Sequence, residues 1–250
     1  MFRGSKKHVL DWTSRPTFLV EFMQLLRPLD LRLDVNSYWM PRGYAFPQEA
    51  RLETFGPRVF PTHAAWPLLT SWWLPSGSRG NTPNWDIALR GEIEGQQGLV
   101  LVEAKANEEE LSKEDKCGGS GGSALSLENS KHIRGAIEEA RRALDGIVPE
   151  ISISCDNHYQ LSNRIAFASK LANLGIPTAV VYLGFTGDEG IANAGRPFID
   201  DADWLRVFRD KCLKVCPAPM HSPIQTDKAP FWIVARSREV LESSPSPKAL

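Results

Sequence analysis

The segment GLVLVEAKA, residues 98–106, determines more about the fold of this 250-residue chain than any other stretch. A run this apolar is typical of a strand that is buried on both faces of a sheet. Its last residues break the pattern, because Glu103 and Lys105 place opposite charges two positions apart. Since residues two apart in a strand point to the same face, the pattern predicts a charged pair presented together at the end of a core strand.

The residues before this strand predict the rest of a meander. LLTSWWLP is rich in aromatic residues, NWDIALRGEIE alternates, and GQQG has the composition of a turn, so we predict three consecutive strands that end in GLVLVEAKA. If the GQQG loop closes a hairpin with an even number of residues, Asp86 lies on the same face as Glu103 and Lys105. A one-residue bulge would instead move Asp86 to the other face.

Helical patterns flank these strands. PTFLVEFMQLLR predicts a helix that starts at Pro16, and FPQEARLETFG predicts a short helix from Pro47 to Gly56, with Glu49 and Glu53 on one face. The remaining predicted elements are helices at about 127–145 and 157–174, a parallel strand at 177–185, a helix at DADWLRVFRDKCLKV, and an edge strand at 230–237. The order of elements predicts an α/β fold with a mixed central sheet flanked by helices.

Composition supports one globular domain, with 42% hydrophobic and 24% charged residues. We predict a single domain over residues 1–236, with a core at about 45–185, a helical N-terminal part and a C-terminal extension that contains the edge strand. Residues 237–250 are predicted to be a loose tail. Residues 107–124 are polar and rich in Gly and Ser, which is typical of a functional or disordered loop.

Charge, hydropathy and cysteine content bear on which partners and which cellular location the sequence predicts. The net charge of −1 does not by itself indicate a nucleic-acid or membrane partner, although FRGSKKH and residues 131–142 are local basic stretches that are equally consistent with solvated faces. No apolar run reaches membrane-spanning length, and the first residues carry no signal region. The four cysteines form no metal-binding spacing, so we predict free thiols and a cytoplasmic location, with no membrane partner.

The predicted cluster at the end of the strand indicates a chemistry. Two carboxylates on one face, Asp86 and Glu103, repel each other, and a hard divalent cation relieves this repulsion because it prefers oxygen ligands. An ammonium group such as that of Lys105 can orient a metal-bound water or stabilise charge on a phosphate. These residue types together are suited to phosphodiester hydrolysis.

The same residues resemble a known family. Asp86, followed 17 positions later by Glu103-Ala104-Lys105, resembles the signature of the PD-(D/E)XK nuclease superfamily, whose core is a helix, a three-strand meander, a helix and a strand. The predicted elements over residues 45–185 follow that order, which implies a restriction endonuclease-like fold. TPNWDIAL, LVLVEAKA and HYQLSNR are also similar to uncharacterised bacterial members. One departure is that the proline of the signature is not adjacent to the aspartate here, since Pro83 precedes Asp86 by three positions, but this proline is widely replaced in the superfamily.

The resemblance implies a role for each matched residue. Asp86 and Glu103 would hold Mg²⁺ or Mn²⁺, and Lys105 would position the attacking water. Many members add a metal-binding glutamate from the first core helix, for which we select Glu49, with Glu53 as its competitor. The implied catalytic set is therefore Asp86, Glu103, Lys105 and Glu49.

The helix predicted after the long loop supplies further candidates. In some members of the superfamily a Gln, Lys or Tyr on this helix faces the metal site or the scissile phosphate. The corresponding residues here are Gln160, Asn163 and His158, with Tyr159 and Arg164 beside them. Gln160 and Asn163 lie three positions apart and are expected to share a helix face.

The function that the resemblance implies is a Mg²⁺-dependent nuclease that hydrolyses phosphodiester bonds of DNA in bacterial restriction, defence or repair. DNA and RNA are not distinguished by the residues, and the oligomeric state stays open, a homodimer included. An alternative is a non-catalytic member of the fold that binds nucleic acid or protein. A further interpretation of the whole protein is an α/β binding protein unrelated to nucleases. For Glu103 and Lys105 alone, the alternative interpretation is a surface ion pair on an edge strand, which would contribute little to stability.

Overall fold

The computed structural model describes residues 3–33, 36–78, 80–112, 117, 124–156, 158–190, 195–217 and 221–240. Eight α-helices occur in these ranges, and none of them is long and apolar enough to cross a membrane. Their bounds are α1 Gly4–Thr13, α2 Phe18–Leu26, α3 Leu52–Val59, α4 Ala65–Trp73, α5 Glu108–Ser112, α6 Ala124–Asp145, α7 Tyr159–Asn173 and α8 Asp201–Cys212.

Most described strands belong to one mixed sheet. The strands are β1 Leu31–Arg32, β2 Trp39–Met40, β3 Ala50–Arg51, β4 Asn84–Trp85, β5 Ile87–Ile93, β6 Gln96–Lys105, β7 Thr178–Thr186, β8 Ile224–Gln225 and β9 Pro230–Glu239. The order across the sheet is β1-β5-β6-β7-β9-β8, with β2 also paired to β5, while β3 and β4 form a separate small ladder. The predicted α/β class with a mixed sheet and flanking helices is therefore confirmed.

The hairpin of β5 and β6 has the parity that the sequence analysis required. Its turn consists of Glu94 and Gly95, whose φ angles are 48° and 80°, and such positive angles at both positions are typical of a tight two-residue turn. The predicted GQQG turn is misplaced, since only its first residue lies in the turn and the others belong to β6. Because Ile87 pairs with Val102, the register continued by one residue puts Asp86 opposite Glu103.

The strands in the parallel part of the sheet are formed by the long apolar segments of the sequence. β6 and β7 are parallel, and α6 and α7 occupy the connection between them, as predicted. β9 pairs in parallel with β7 along its whole length. The prediction of an edge strand at 230–237 is corrected in two respects: β8 covers the start of β9, and β9 continues to Glu239, beyond the predicted end of the domain at residue 236.

The predicted strand LLTSWWLP is wrong, because these residues form most of helix α4. Its aromatic residues favour a strand locally, but their burial follows helical spacing, with Trp66, Leu69 and Trp73 on the inner side. Trp73 packs edge-on against Phe167 of α7 with ring centroids 4.6 Å apart. Tertiary packing therefore outweighs the local preference, and short strands β1 and β2 take the outer positions beside β5.

The helix predicted from FPQEARLETFG begins later than expected. It starts at Leu52, so Glu49 precedes it and does not share a helix face with Glu53, which corrects that prediction. Gly56 does not end the helix either. It is buried inside α3, where a β-carbon would lie only 2.4 Å from the ring of Trp66, so glycine permits the close approach of α3 and α4.

Two further predictions concern the loops. Cys117 and Cys155 form a disulfide, so the prediction of free thiols holds only for Cys212 and Cys216. The long loop predicted at 107–124 starts with helix α5, and apart from Cys117 its residues 113–123 lie outside the described ranges. The predicted loose tail from residue 241 onward also lies outside them.

Candidate active site at the carboxyl end of strand β6

Glu103 and Lys105 are buried at the carboxyl end of β6, with 4% and 6% of their surface exposed. Asp86, which immediately precedes β5, lies on the same face of the sheet and retains partial exposure. The structure therefore brings these three predicted residues together. The surface ion pair on an edge strand is ruled out, because β6 is a central strand and both charges are buried.

The carboxylate of Glu103 accepts four hydrogen bonds. Its Oε1 accepts from Lys105 Nζ at 2.7 Å and from Gln160 Nε2 at 2.8 Å. Its Oε2 accepts from Arg164 Nε at 2.9 Å and from Arg164 Nη2 at 2.6 Å. A buried carboxylate is stable only when it is paired and hydrogen-bonded in this way, so these donors fix both the charge and the orientation of Glu103.

Asp86 has a different environment. Its Oδ2 accepts a hydrogen bond from the backbone amide of Ala104 at 2.8 Å, which links the start of β5 to β6. Among the described residues no side chain donates to the other oxygen, and no cation forms an ion pair with this carboxylate. Asp86 is therefore the member of the cluster whose charge is least compensated, and it is partly exposed whereas Glu103 and Lys105 are buried.

The two carboxyl groups titrate in opposite directions. Burial, followed by repulsion from Glu103, raises the pKa of Asp86 to about 7, and Glu49 raises it further while Lys105 opposes the shift. Burial alone would also raise the pKa of Glu103, but the charges of Arg164 and Lys105 outweigh it and hold this pKa below its ordinary value. Opposed pKa shifts in neighbouring carboxyl groups are common at catalytic sites.

Glu49 lies close enough to influence Asp86, although it does not lie on a helix. Its Oε1 accepts from Lys6 Nζ at 2.9 Å and its Oε2 accepts from Asn84 Nδ2 at 3.1 Å. Its competitor Glu53 instead accepts a hydrogen bond from the hydroxyl of Thr82. Of the two glutamates, Glu49 is therefore the one whose negative charge raises the pKa of Asp86.

The candidates at the start of α7 divide into contacting and non-contacting residues. Gln160 contacts Glu103 directly, while Asn163 is one step removed, since its Oδ1 accepts from Arg164 Nη1 at 3.0 Å. His158 precedes the helix in a left-handed conformation with φ 49° and ψ 44°, and its carbonyl accepts from the amide of Ser162. Tyr159 packs against the apolar core.

Arg164 has a more central position than the sequence analysis gave it. It lies one helical turn after Gln160, so both side chains reach Glu103 from one face of α7. Its guanidinium lies 4.4 Å from the ring centroid of Trp85 and donates to the carbonyl of Asn84 at 2.7 Å. The four-residue spacing of Gln160 and Arg164 is the only sequence signal that could have indicated this role.

Tyr182 is a residue that the sequence analysis did not consider. It pairs with Glu103 in the parallel ladder of β6 and β7, and its side chain is 1% exposed. Its hydroxyl has no hydrogen-bond partner among the described residues. Burial and the charge of Glu103 together raise the pKa of this hydroxyl well above its ordinary value, so Tyr182 stays a neutral donor.

The ligand types present fit a hard divalent cation. Asp86, Glu103 and Glu49 supply carboxylate oxygens, and a cation would relieve the repulsion between Asp86 and Glu103 that, after burial, raises the pKa of Asp86. Within the described ranges, no three carboxylate, imidazole or thiolate side chains already converge in a metal-binding arrangement. Because both oxygens of Glu103 already accept two hydrogen bonds, a cation would reach Glu103 only by replacing one of its donors.

The chain matches no protein-family model, no curated protein and no solved structure. Its resemblance to PD-(D/E)XK nucleases therefore depends on the motif residues quoted above, and the fold is established here only as mixed α/β.

Proposed function

We propose that this protein is a divalent-metal-dependent nuclease that hydrolyses phosphodiester bonds of DNA at the cluster of Asp86, Glu103 and Lys105. The observation that carries the proposal is the burial of Glu103 and Lys105 beside Asp86 on one face of the sheet, at the ends of two paired strands. Burying such charges is costly, and a purely structural role would be served equally well by apolar residues. The choice of DNA as the substrate follows from the resemblance to nucleases.

We assign a different role in the hydrolysis to each residue of the site. Arg164 and Gln160 hold Glu103 in one orientation, so that its carboxylate is positioned before substrate binds. Lys105 is a buried donor within reach of Glu103, where it can orient the attacking water or stabilise negative charge that develops on the phosphate. Asp86 is the partly exposed carboxylate, and it is able to exchange a proton near neutral pH.

A divalent cation would be held by Asp86 and Glu103, with Glu49 as the third candidate ligand. When bound, such a cation supplies charge neutralisation and lowers the pKa of a coordinated water. In the overall reaction the oxygen of water attacks phosphorus, the bond between phosphorus and the leaving oxygen breaks, and the leaving oxygen gains a proton. The result is one phosphate monoester and one free hydroxyl group.

The test is a cleavage assay on linear and circular duplex DNA and on single-stranded DNA, with Mg²⁺, with Mn²⁺ and with EDTA. We expect cleavage that requires the metal and that Asp86→Asn, Glu103→Gln and Lys105→Met each reduce by about a thousandfold or more. The matched control for cleavage is Asp210→Asn, which removes an exposed carboxylate of α8 that is paired with Arg206. Glu92→Gln, on the same face of β5 but paired with Arg32 near the turn end, is the control for metal binding. Cleavage that persists in all three site variants would refute the proposal.

A second candidate function is a non-catalytic module that binds nucleic acid. It is favoured by one observation, namely that all four acceptor positions of Glu103 are occupied by donors of the chain itself. In that case Glu103 would organise the fold at the end of β6 without binding metal. Metal binding distinguishes the two candidates, because only the nuclease requires it.

A further inference from the structure

Three arginines form a patch beside the middle of strand β5, to which Arg90 belongs and with which the short strand just before Arg42 is paired. The guanidinium carbons of Arg42 and Arg58 lie 5.0 Å and 4.3 Å from the ring centroid of Tyr38. The guanidinium carbon of Arg90 lies 4.8 Å from the ring centroid of Phe60. We call Arg42, Arg58 and Arg90 the arginine patch. An arginine over an aromatic ring is held in position while its polar edge stays available to a ligand.

The charges of the arginine patch are not neutralised within the described part of the chain. No carboxylate there forms an ion pair with any of the three residues, whereas an exposed arginine such as Arg134 is paired with Asp156 at 2.7 Å. The whole chain has a net charge of −1, so the patch is a local excess and does not reflect a basic composition. Unpaired guanidinium groups that lie close together repel each other unless an anion is bound between them.

A cavity of about 400 Å³ opens beside this patch. Its lining residues include Arg58 and Arg90 together with the polar side chain of Gln97. Arg90 is fixed there, since its Nε donates to Gln97 Oε1 at 2.9 Å and its Nη1 donates to the carbonyl of Val59 at 2.8 Å. Among the described lining residues the one carboxylate is that of Glu92, which is paired with Arg32 at 3.4 Å. The cavity thus presents an excess of positively charged donors, which suits an anion.

The arginine patch lies on the same side of the sheet as the candidate active site. Asp86 and Arg90 are four residues apart in nearly continuous extended chain, so they share a face and are separated by about 13 Å at a strand rise of about 3.3 Å per residue. Phosphates that belong to one nucleic-acid strand recur at shorter intervals than this. The core covers the sheet between them, since Ala88 is fully buried, so a nucleic acid that reaches both Asp86 and the patch would follow the outer surface and place several phosphates between them.

We propose that the arginine patch binds the phosphate backbone of a nucleic acid, several nucleotides away from the phosphate that is cleaved. The position of the cleaved phosphate rests on the proposed function, whereas backbone binding by the patch does not. The competing interpretation is structural: Arg90 binds the last carbonyl of α3, and Arg58 covers the ring of Tyr38. In that interpretation the variants lose stability and keep their affinity for nucleic acid.

The test measures the binding of a fluorescein-labelled DNA duplex by anisotropy in EDTA, where no cleavage occurs. We expect the double variant Arg42→Gln/Arg58→Gln to bind about tenfold or more weakly than the wild type at low salt. We also expect the slope of log Kd against log salt to decrease by about 2, since two phosphate contacts are lost. The matched control is Arg134→Gln/Arg141→Gln, which removes two exposed but paired arginines and should change the affinity less than twofold.

Each outcome of this experiment decides a separate question. Unchanged affinity and salt dependence in the Arg42→Gln/Arg58→Gln variant would overturn the proposal, whether or not the protein cleaves DNA. Patch-dependent binding by a wild-type protein that cleaves no DNA with Mg²⁺ or Mn²⁺ would refute the proposed nuclease without affecting the proposal for the patch. Urea unfolding of the double variant identifies a purely structural effect.

Two competitors identify the ligand class. Inorganic phosphate should displace the duplex no better than chloride does at equal ionic strength, and a poly-glutamate peptide should compete poorly. Strong competition by free phosphate would assign the cavity to a small phosphate-containing ligand and overturn the proposal. Competition by the peptide at equal charge concentration would assign the patch to an acidic protein instead, and would also overturn it.

Discussion

The two faces of strand β6 are buried to a similar extent but by different interactions. On one face Val100, Val102 and Ala104 belong to an apolar cluster with residues of α1 and α2, such as Phe22. On the other face Leu99 and Leu101 are equally apolar, but the next two positions are Glu103 and Lys105. The apolar face needs no partners for polar atoms, whereas the charged face requires four hydrogen bonds to a single carboxylate.

This difference shows where the chain departs from the arrangement that stability alone would favour. Burial of apolar groups stabilises a fold directly, whereas a buried ion pair is on average no more stabilising than an apolar pair of similar size. The charged face also contains a carboxyl group with a strongly raised pKa, that of Asp86, and the buried hydroxyl of Tyr182, which has no partner in the described part of the chain. Such features concentrated at the end of one strand are expected of a functional site.

The largest expected effect comes from removing the main partner of Glu103. Arg164→Met leaves a buried carboxylate with only Lys105 and Gln160, and should lower the free energy of unfolding in urea by about 3–5 kcal/mol. Adding Glu103→Gln to this variant should restore at least half of the loss. Arg134→Met, which breaks an exposed pair, should cost about 0.5 kcal/mol or less. Equal losses in Arg164→Met and Arg134→Met would show that the buried pair on the charged face contributes no more than an exposed pair.

The next effect is a dependence on pH that only the charged face shows. Asp86 has a pKa of about 7 in the folded state against 3.8 in the unfolded chain, so the folded state binds more protons between these values. The stability that protonated Asp86 contributes is therefore full below about pH 4 and is lost as the pH rises through 7, by up to about 4 kcal/mol. Urea unfolding in EDTA should show this loss in the wild type and not in Asp86→Asn. Parallel pH profiles for the two proteins would contradict it.

A substitution on the apolar face should cost a similar amount without any dependence on pH. Leu89 is fully buried in the apolar cluster, and Leu89→Ala should lower the free energy of unfolding by about 3 kcal/mol because it leaves a cavity. The loss should be the same at pH 5 and pH 8, and should add to that of Arg164→Met because the two residues lie on opposite faces. A loss that varied with pH would mean that the two faces are coupled.

The smallest expected effect concerns the unpartnered hydroxyl on the charged face. Tyr182→Phe removes a buried polar atom that has no hydrogen-bond partner within the described residues, and should raise the free energy of unfolding by about 1 kcal/mol. Thermal unfolding and urea unfolding both measure this change. Destabilisation by a similar amount would contradict this prediction, because it would show that the hydroxyl of Tyr182 forms a hydrogen bond in the folded protein.

Much of the fold could be predicted because its signals are local. The apolar runs at 98–106 and 177–185 predicted two buried strands, and helical periodicity predicted α2, α6, α7 and α8. Aromatic residues at 68–75 predicted a strand where α4 occurs, because the deciding contact, Trp73 on Phe167, joins residues that are far apart in sequence. The local strand preference of these residues does not depend on such a contact, so it could not predict the helix.

The candidate site was predicted to the extent that it depends on strand parity. Asp86, Glu103 and Lys105 share a face because a strand alternates and the hairpin has a two-residue turn. The contact between Arg164 and Glu103 could not be predicted in the same way, since it depends on how α7 crosses the end of β6. Glu49 was selected as a helical residue, but it lies near Asp86 for another reason, namely its hydrogen bond from Asn84 of β4.

The most direct test of the central claim is a calorimetric titration of the protein with Mn²⁺ in the absence of nucleic acid. If the charged face of β6 is a functional metal site, the wild type and Glu92→Gln should bind Mn²⁺ alike, and Glu103→Gln and Asp86→Asn should each lose that binding. Circular dichroism of each variant confirms that it is folded. Failure of the folded wild type to bind Mn²⁺, or equal binding by all four proteins, would contradict the account.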